Sequence, residues 1–165
     1  MARRLLPVGL DFVDTAPLRL VFAREVSAPP GAVYRALAED VAGWPQWFSA
    51  VTLARPLDDG PGGPRREVRL KGGTRFVETI VAAEPEPDAV YAYRVDETNA
   101  PGIRALLEEW RVVEVPGGGS RVQWTFAADG AVPFRVGLKV GRAGLGRAFR
   151  DAVGSLDRRL ASMPA

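Results

Sequence analysis

The sequence contains no cysteine and no histidine. These two absences exclude disulfide bonds, thiolate nucleophiles and Ser-His-Asp chemistry, together with zinc or iron sites that depend on sulfur or imidazole ligands. Carboxylates could still hold a hard cation, but the chain has no Asp-rich loop of the calcium-binding kind. We therefore expect no metal and no cofactor, and any catalysis would depend on carboxylates, arginine or tyrosine.

Long apolar runs and blocks of like charge are also missing. No stretch approaches the roughly 18 apolar residues that cross a bilayer, and the apolar start, which resembles a signal peptide, stops at Pro7 and Asp11. The formal net charge is only +2 and the basic residues are dispersed. We therefore expect a cytoplasmic protein, monomeric or homodimeric, with no nucleic-acid partner and no membrane insertion.

The apolar content is sufficient for one core, because 47% of the 165 residues are hydrophobic. We expect one domain over residues 1–165, in which residues 1–16 form an N-terminal extension without a clear period. Residues 18–26 predict a strand. Helical spacing predicts a first helix from Ser27 or the following prolines to Gly43, and a second short helix over residues 44–48.

Beyond Ala50 the pattern changes to short strands separated by turn residues. Their short connections favour an antiparallel meander. The predicted strands are 51–55, 66–70, 74–83, 89–95, 103–115 and 121–128. Apolar residues from Leu138 to Leu160 then recur at helical spacing and predict one long amphipathic helix. Its several glycines indicate either close approach to the sheet or space for a ligand, with a local kink as a further reading.

Three segments resemble one known superfamily. Residues 27–34 enter the first helix, residues 40–48 contain a Trp-Pro element after an aspartate, and residues 118–125 form a Gly-Gly-Ser-Arg-Val turn into the last strand. On these segments the chain resembles the START-like (SRPBCC) superfamily, in its polyketide cyclase/dehydrase-like branch. The resemblance implies a helix-grip α+β fold, a seven-stranded antiparallel sheet wrapped around a long C-terminal helix. Two short helices follow the first strand, and a ligand cavity lies between sheet and helix.

The candidate ligand-binding residues follow from this placement. Trp44, Trp47 and Phe48 lie where the superfamily has its cavity rim, and Trp110 and Trp124 lie on adjacent late strands. Core packing is the alternative for all five, because large aromatics anchor cores as well as ligands. The remaining apolar candidates are Phe76, Ile80, Leu106, Phe134, Leu138 and Leu145.

Charged candidates are placed by strand alternation. Phe76, Glu78, Ile80 and Ala82 share one face, which the resemblance directs toward the cavity, and Glu108 shares a face with Leu106 and Trp110. The two glutamates could form an acid/base pair.

Arg94 is the third charged candidate, and its side is left open. The face of Tyr91, Tyr93 and Val95 is the more apolar one, whereas alignment with aromatase/cyclases favours an inward Arg94. A structural ion pair or a surface position is the alternative reading of this trio.

Aromatase/cyclases carry a cavity arginine and a tyrosine that this alignment places at Ile80 and Val51, so their chemistry does not transfer directly.

The leading hypothesis is a binding protein or carrier for a small hydrophobic molecule such as a polyketide, lipid or quinone. The first alternative is a cyclase or dehydratase that uses Glu78 or Glu108 as base, with Arg94 or a tyrosine stabilising charge. The second is a protein-interaction module, for which the only support is an arginine-rich helix surface: Arg142, Arg147, Arg150, Arg158 and Arg159.

Overall fold

One antiparallel sheet, covered on its inner face by helices, organises the chain. The computed structural model describes residues 1–164. The strands are β1 (Arg3–Arg4), β2 (Leu18–Val26), β3 (Val51–Gly60), β4 (Gly63–Leu70), β5 (Arg75–Glu84), β6 (Ala89–Thr98), β7 (Ile103–Glu114) and β8 (Ser120–Gly130). They are ordered β2-β8-β7-β6-β5-β4-β3, with β1 paired to β6. The predicted helix-grip α+β fold is confirmed.

The helices differ more from expectation than the strands do. The α-helices are α1 (Phe12–Thr15), α2 (Pro30–Tyr34), α3 (Val132–Val140) and α4 (Arg142–Ser162). A π-helical turn over Arg35–Glu39 extends α2, and a 3-10 helix covers Val41–Gln46. The predicted short helix at 44–48 therefore begins earlier and ends before Trp47. Within residues 1–164, no helix combines the length and apolarity that a membrane span needs.

Side chains alternate between buried and exposed toward the end of β7. On β7, Leu106, Trp110 and Val112 are about 1% exposed, whereas Arg111 and Val113 between and beyond them are exposed. This side-chain period of two, which is typical of a half-buried strand, therefore determines which face of this part of β7 points toward the core. On β5 the alternation breaks after Ile80, where the pairing with β6 shifts register. Ala83, rather than the predicted Ala82, lies beside Ile80 and Tyr91.

The N-terminal extension contributes to the sheet. Arg3 and Arg4 pair with Thr98 and Glu97 of β6, and the Leu6 amide donates to the Arg104 carbonyl at 2.9 Å. The segment thus bridges β6 and β7 where those strands no longer pair with each other. Sequence periodicity could not show this because a two-residue strand has no period.

The predicted single C-terminal helix is wrong in one respect, since Gly141 divides it into α3 and α4. Gly141 has φ −79° and ψ 2°, so the backbone leaves helical geometry there. At Gly146 the reason for glycine is close approach, because a Cβ would lie 3.0 Å from the Phe22 ring on β2. Both a kink and tight packing against the sheet therefore account for glycines in this segment.

The outer face of the sheet carries an ion cluster. The Glu67 side chain accepts hydrogen bonds from Arg55, Arg69 and Arg75 at 3.3, 2.6 and 3.0 Å. Burial opposes ionisation of Glu67, but the three guanidinium groups lower its pKa to about 2. These contacts connect β3, β4 and β5 across the face that points away from the helices.

Candidate ligand-binding site

Large aromatic side chains form the centre of the inner face. Trp110 and Trp124 lie opposite each other on β7 and β8 and stack with centroids 5.5 Å apart. Phe149 of α4 lies 5.9 Å from both rings, and Trp44 meets Trp110 edge-on at 5.8 Å. Beneath α4, side chains therefore contact one another directly, so the predicted location of a cavity between the sheet and this helix is wrong, and the clefts lie elsewhere.

The structure distributes the predicted apolar residues among a packed core and separate clefts. Trp47 lines a cleft of about 760 Å³ between α2 and the end of α4. Phe134 and Leu138 line a second cleft of about 500 Å³ beside the β6–β7 turn, and Ile80 lines a third of about 440 Å³. The other apolar candidates, Phe48, Phe76, Leu106 and Leu145, pack in or against the core.

Arg94 lies outside this site. Tyr91, Tyr93 and Val95 belong to the buried core, so Arg94, between them, points to the opposite face, where it donates from Nε to Asp96 at 2.9 Å. The more apolar of the two faces is thus the inward one. The alignment that favoured an inward Arg94 is wrong because strand alternation fixes its side once its neighbours are buried.

Arg66, which sequence reasoning missed, is the cation of the interior. It is 2% exposed, and its Nε donates to the Glu78 carboxylate at 2.5 Å across the β4–β5 pair. The guanidinium carbon lies 4.0 Å from the Tyr93 ring centroid and 4.5 Å from that of Trp44. A signal was available, because Arg66 alternates with Val68 and Leu70 and so shares their apolar face.

The ion pair sets the charge of this region. Desolvation alone would lower the pKa of Arg66, but the adjacent Glu78 raises it overall. Burial raises the pKa of Glu78, whereas Arg66 opposes that rise. Since a guanidinium does not lose its proton, we describe the pair as ionic.

Two hydrogen-bonding groups beside this pair lack a partner. The Nη1 atom of Arg66 and the hydroxyl of Tyr91 are both buried and make no hydrogen bond within the described residues. Both residues line the 440 Å³ cleft, whose walls include apolar side chains such as Val41 and Ile80 together with the charged residues Glu39, Asp40 and Arg65. Because an unsatisfied buried polar group costs about 1–3 kcal/mol, these donors indicate a place for an acceptor that the protein does not itself supply.

Glu108 lies on the same inner face two strands beyond Glu78, on β7. Its Oε2 accepts from the Tyr93 hydroxyl and from Trp124 Nε1 at 3.3 Å, and Trp110 Nε1 in turn donates to the Tyr93 oxygen at 3.1 Å. Burial, and next the charge of Glu78, raise the pKa of Glu108 to about 7. Although it lies deep in the fold, Glu108 keeps part of its surface accessible.

The predicted pairing of the two glutamates is not a direct contact. Glu78 on β5 is occupied by Arg66, and Glu108 on β7 is bound to Tyr93 on the strand between them. Their influence on each other is electrostatic, since Glu78 raises the pKa of Glu108. The arrangement therefore offers one carboxyl that can change its protonation near neutral pH, and one that is fixed in an ion pair.

Similar structures share this architecture. The Zhui aromatase/cyclase of Streptomyces sp. R1128 superposes with a TM-score of 0.68 at 21% identity, covering 88% of this chain and 96% of that one. A START superfamily protein of Mycobacterium smegmatis has a TM-score of 0.68 at 13% identity, covering 88% of this chain and 99% of that one. At these identities the likeness concerns the fold alone.

Sequence relatives extend over nearly the whole chain. An uncharacterized protein of Mycobacterium tuberculosis is 32% identical over 153 residues, which are 92% of this chain and 89% of the relative. A protein of Mycobacterium bovis matches with the same identity and coverage. The family described as polyketide cyclase / dehydrase and lipid transport matches residues 17–161. The chain therefore belongs to that polyketide cyclase / dehydrase and lipid transport family.

Proposed function

We propose that the protein binds a small hydrophobic molecule that carries a hydrogen-bond acceptor, and that the acceptor is held by Arg66 and Tyr91. The observation that carries this proposal is the pair of buried, unpartnered donors lining the 440 Å³ cleft. Membership of a family described by polyketide chemistry and lipid transport supports the class of ligand. The similarity to a structure named as an aromatase/cyclase agrees with it.

The chemistry of the cleft defines the ligand further. Its apolar walls favour burial of hydrocarbon or aromatic surface, which contributes roughly 25 cal/mol per Å² before ordering costs. Arg66 and Tyr91 line the cleft, and their unpartnered N–H and O–H groups lie buried beneath its surface, where an oxygen of an entering ligand could accept from them. A carbonyl or carboxylate oxygen of a polyketide, quinone or fatty acid meets both requirements.

A fluorescence titration with two related probes tests the proposal. Pyrenebutyric acid carries the acceptor, and butylpyrene has the same apolar body without it. We expect the acid to bind more tightly, and Tyr91→Phe to weaken the acid by about threefold to tenfold while leaving butylpyrene unchanged. The hydroxyl of Tyr91 has no partner with hydrogen-bond geometry within the described residues, although the neighbouring Arg66 opposes the rise in the Tyr91 pKa that burial causes.

Thr125→Val is the matched control. Thr125 is also buried with an unpartnered hydroxyl. Because it lies between the inward-facing Trp124 and Phe126, it points to the outer face of β8, and it does not line the cleft. It should leave both affinities unchanged. Equal affinities of the two probes in the wild type, or an unchanged affinity of Tyr91→Phe for the acid, would refute the assignment of the cleft.

A second candidate function is acid/base catalysis by Glu108 on a bound polyketide-like substrate. The observation that favours it is a carboxyl with a pKa raised by burial to about 7 and hydrogen-bonded to Tyr93. Such a group can accept or deliver a proton near neutral pH. Arg66, an arginine in the interior, lies on β4, next to the strand that contains Ile80. Ile80 is the position at which the resemblance placed the cavity arginine of aromatase/cyclases.

The test of this second function is the pH dependence of turnover of a linear poly-β-ketone. If Glu108 acts as base, the rate should rise through about pH 7, and Glu108→Gln should abolish that dependence. Glu114→Gln, a change at the exposed end of the same strand, is the control. A rate that is identical in Glu108→Gln and wild type would remove Glu108 from any catalytic role.

A further inference from the structure

Helix α3 presents apolar side chains to solvent. None of its residues is buried, and Val132, Val136 and Val140 are 61%, 52% and 81% exposed. Their spacing of four places them on one face of the helix. Single exposed apolar residues are ordinary, but these three valines form a continuous apolar strip along one face of the helix, whereas Phe134 and Leu138 pack against the core.

The N-terminal segment lies at the same end of the sheet as the start of α3. The Ala131 amide donates to the Gly102 carbonyl at 2.8 Å, which ties the start of α3 to the β6–β7 turn. Arg3 donates to the Ala100 carbonyl of that turn at 2.6 Å, and Leu6, 58% exposed, lies beside the start of β7. We call the exposed valines of α3 the α3 face: Val132, Val136 and Val140.

The chain segment that contains α3 is basic. Between Ala131 and Arg150 the sequence contains no aspartate or glutamate, in a chain whose formal net charge is only +2. The nearest acidic residue before this segment, Asp129, accepts a hydrogen bond from the Gly130 amide at 2.8 Å. The basic residues of the segment are Arg135, Lys139, Arg142, Arg147 and Arg150.

We propose that the α3 face docks the protein on an anionic lipid bilayer without crossing it. An apolar helix face flanked by basic residues fits the boundary between lipid headgroups and acyl chains, because valines enter the apolar layer while lysine and arginine bind phosphates. A second copy of the chain fits less well, since a symmetric contact would bring two basic segments together. The proposal stands independently of the ligand assigned to the cleft.

Cosedimentation of the full chain with vesicles tests the proposal. The chain should bind vesicles of phosphatidylcholine with phosphatidylglycerol, bind phosphatidylcholine alone weakly, and dissociate as salt is added. Val136→Ser with Val140→Ser should weaken binding about tenfold. Lys139→Gln should weaken it about fivefold.

Two controls share the chemistry but not the location. Val113→Ser changes a valine that is 38% exposed on β7, and Arg158→Gln removes an exposed charge near the other end of α4. Both should bind as the wild type does. Equal binding to both kinds of vesicle, or loss in the controls as large as in the α3 variants, would overturn the proposal. So would a dimer in sedimentation velocity that Val136→Ser with Val140→Ser abolishes, because the α3 face would then be a self-association surface.

Discussion

Replacing Glu108 by glutamine should stabilise the protein at neutral and alkaline pH. Glu108 is a carboxyl whose pKa is raised, chiefly by burial, from 4.5 to about 7 in the folded protein. A carboxyl of this kind holds its proton more tightly when folded, so its contribution to stability is complete below about pH 4.5 and is lost as the pH rises through 7. The rise in pKa corresponds to about 3 kcal/mol.

Glutamine reproduces the neutral form of this side chain. Its Oε1 can accept the hydrogen bonds of the Tyr93 hydroxyl and Trp124 Nε1, and it cannot ionise. We therefore expect Glu108→Gln to match the wild type near pH 4.5 and to exceed its free energy of unfolding by about 3 kcal/mol near pH 8.

Urea unfolding of both proteins across this pH range measures the difference, because titrating groups that do not interact with Glu108 affect both proteins equally. Glu109→Gln is the matched control on the same strand. Glu109 points to the outer face and accepts two hydrogen bonds from Arg111, so this variant should be less stable than the wild type. A difference between Glu108→Gln and wild type that does not change with pH would refute the assigned linkage.

Three further predictions concern packing and ion pairs, each measured by urea unfolding. Arg66→Met should cost about 3–5 kcal/mol because it leaves Glu78 buried without its cation, and adding Glu78→Leu should recover most of that loss; no recovery would contradict the reasoning. Glu67→Gln should remove the stability that the wild type loses as the pH falls from about 4.5 toward 2; an unchanged acid profile would exclude Glu67 as its source. Phe149→Ala should cost about 3–5 kcal/mol, since its ring is fully buried, and a loss below about 1 kcal/mol would show that the core closes over the space.

Local periodicity was sufficient for most of the fold. Alternation predicted β2 with its observed limits, and it predicted the faces of β7 because Leu106, Trp110 and Val112 recur at every second or fourth position. Strands β3 and β4 extend beyond the predicted ranges 51–55 and 66–70 and meet at the Gly60–Gly63 pair. The sequence pattern missed these added residues because turn-forming residues are typical of a loop as well as of the tip of a hairpin. The same alternation indicated Tyr91 and Tyr93 as inward, whereas the side of Arg94 stayed open because the alignment with aromatase/cyclases favoured the opposite orientation.

The site depended on contacts that no local pattern contains. Arg66 meets Glu78 because β4 and β5 pair in one register, and Tyr93 meets Glu108 because β6 and β7 pair in another. A shift of one residue in either pair would separate these groups.

The sequence by itself determined which residues alternate, where the helical period begins, and that sulfur and imidazole chemistry is absent, because these properties follow from residue type and the geometry of single elements. Tertiary structure alone decided that the aromatic side chains pack beneath α4, that α3 leaves its valines uncovered, and that Arg66 and Tyr91 keep donors free. Those outcomes depend on how distant elements fill space against one another, and chain-local spacing does not specify that.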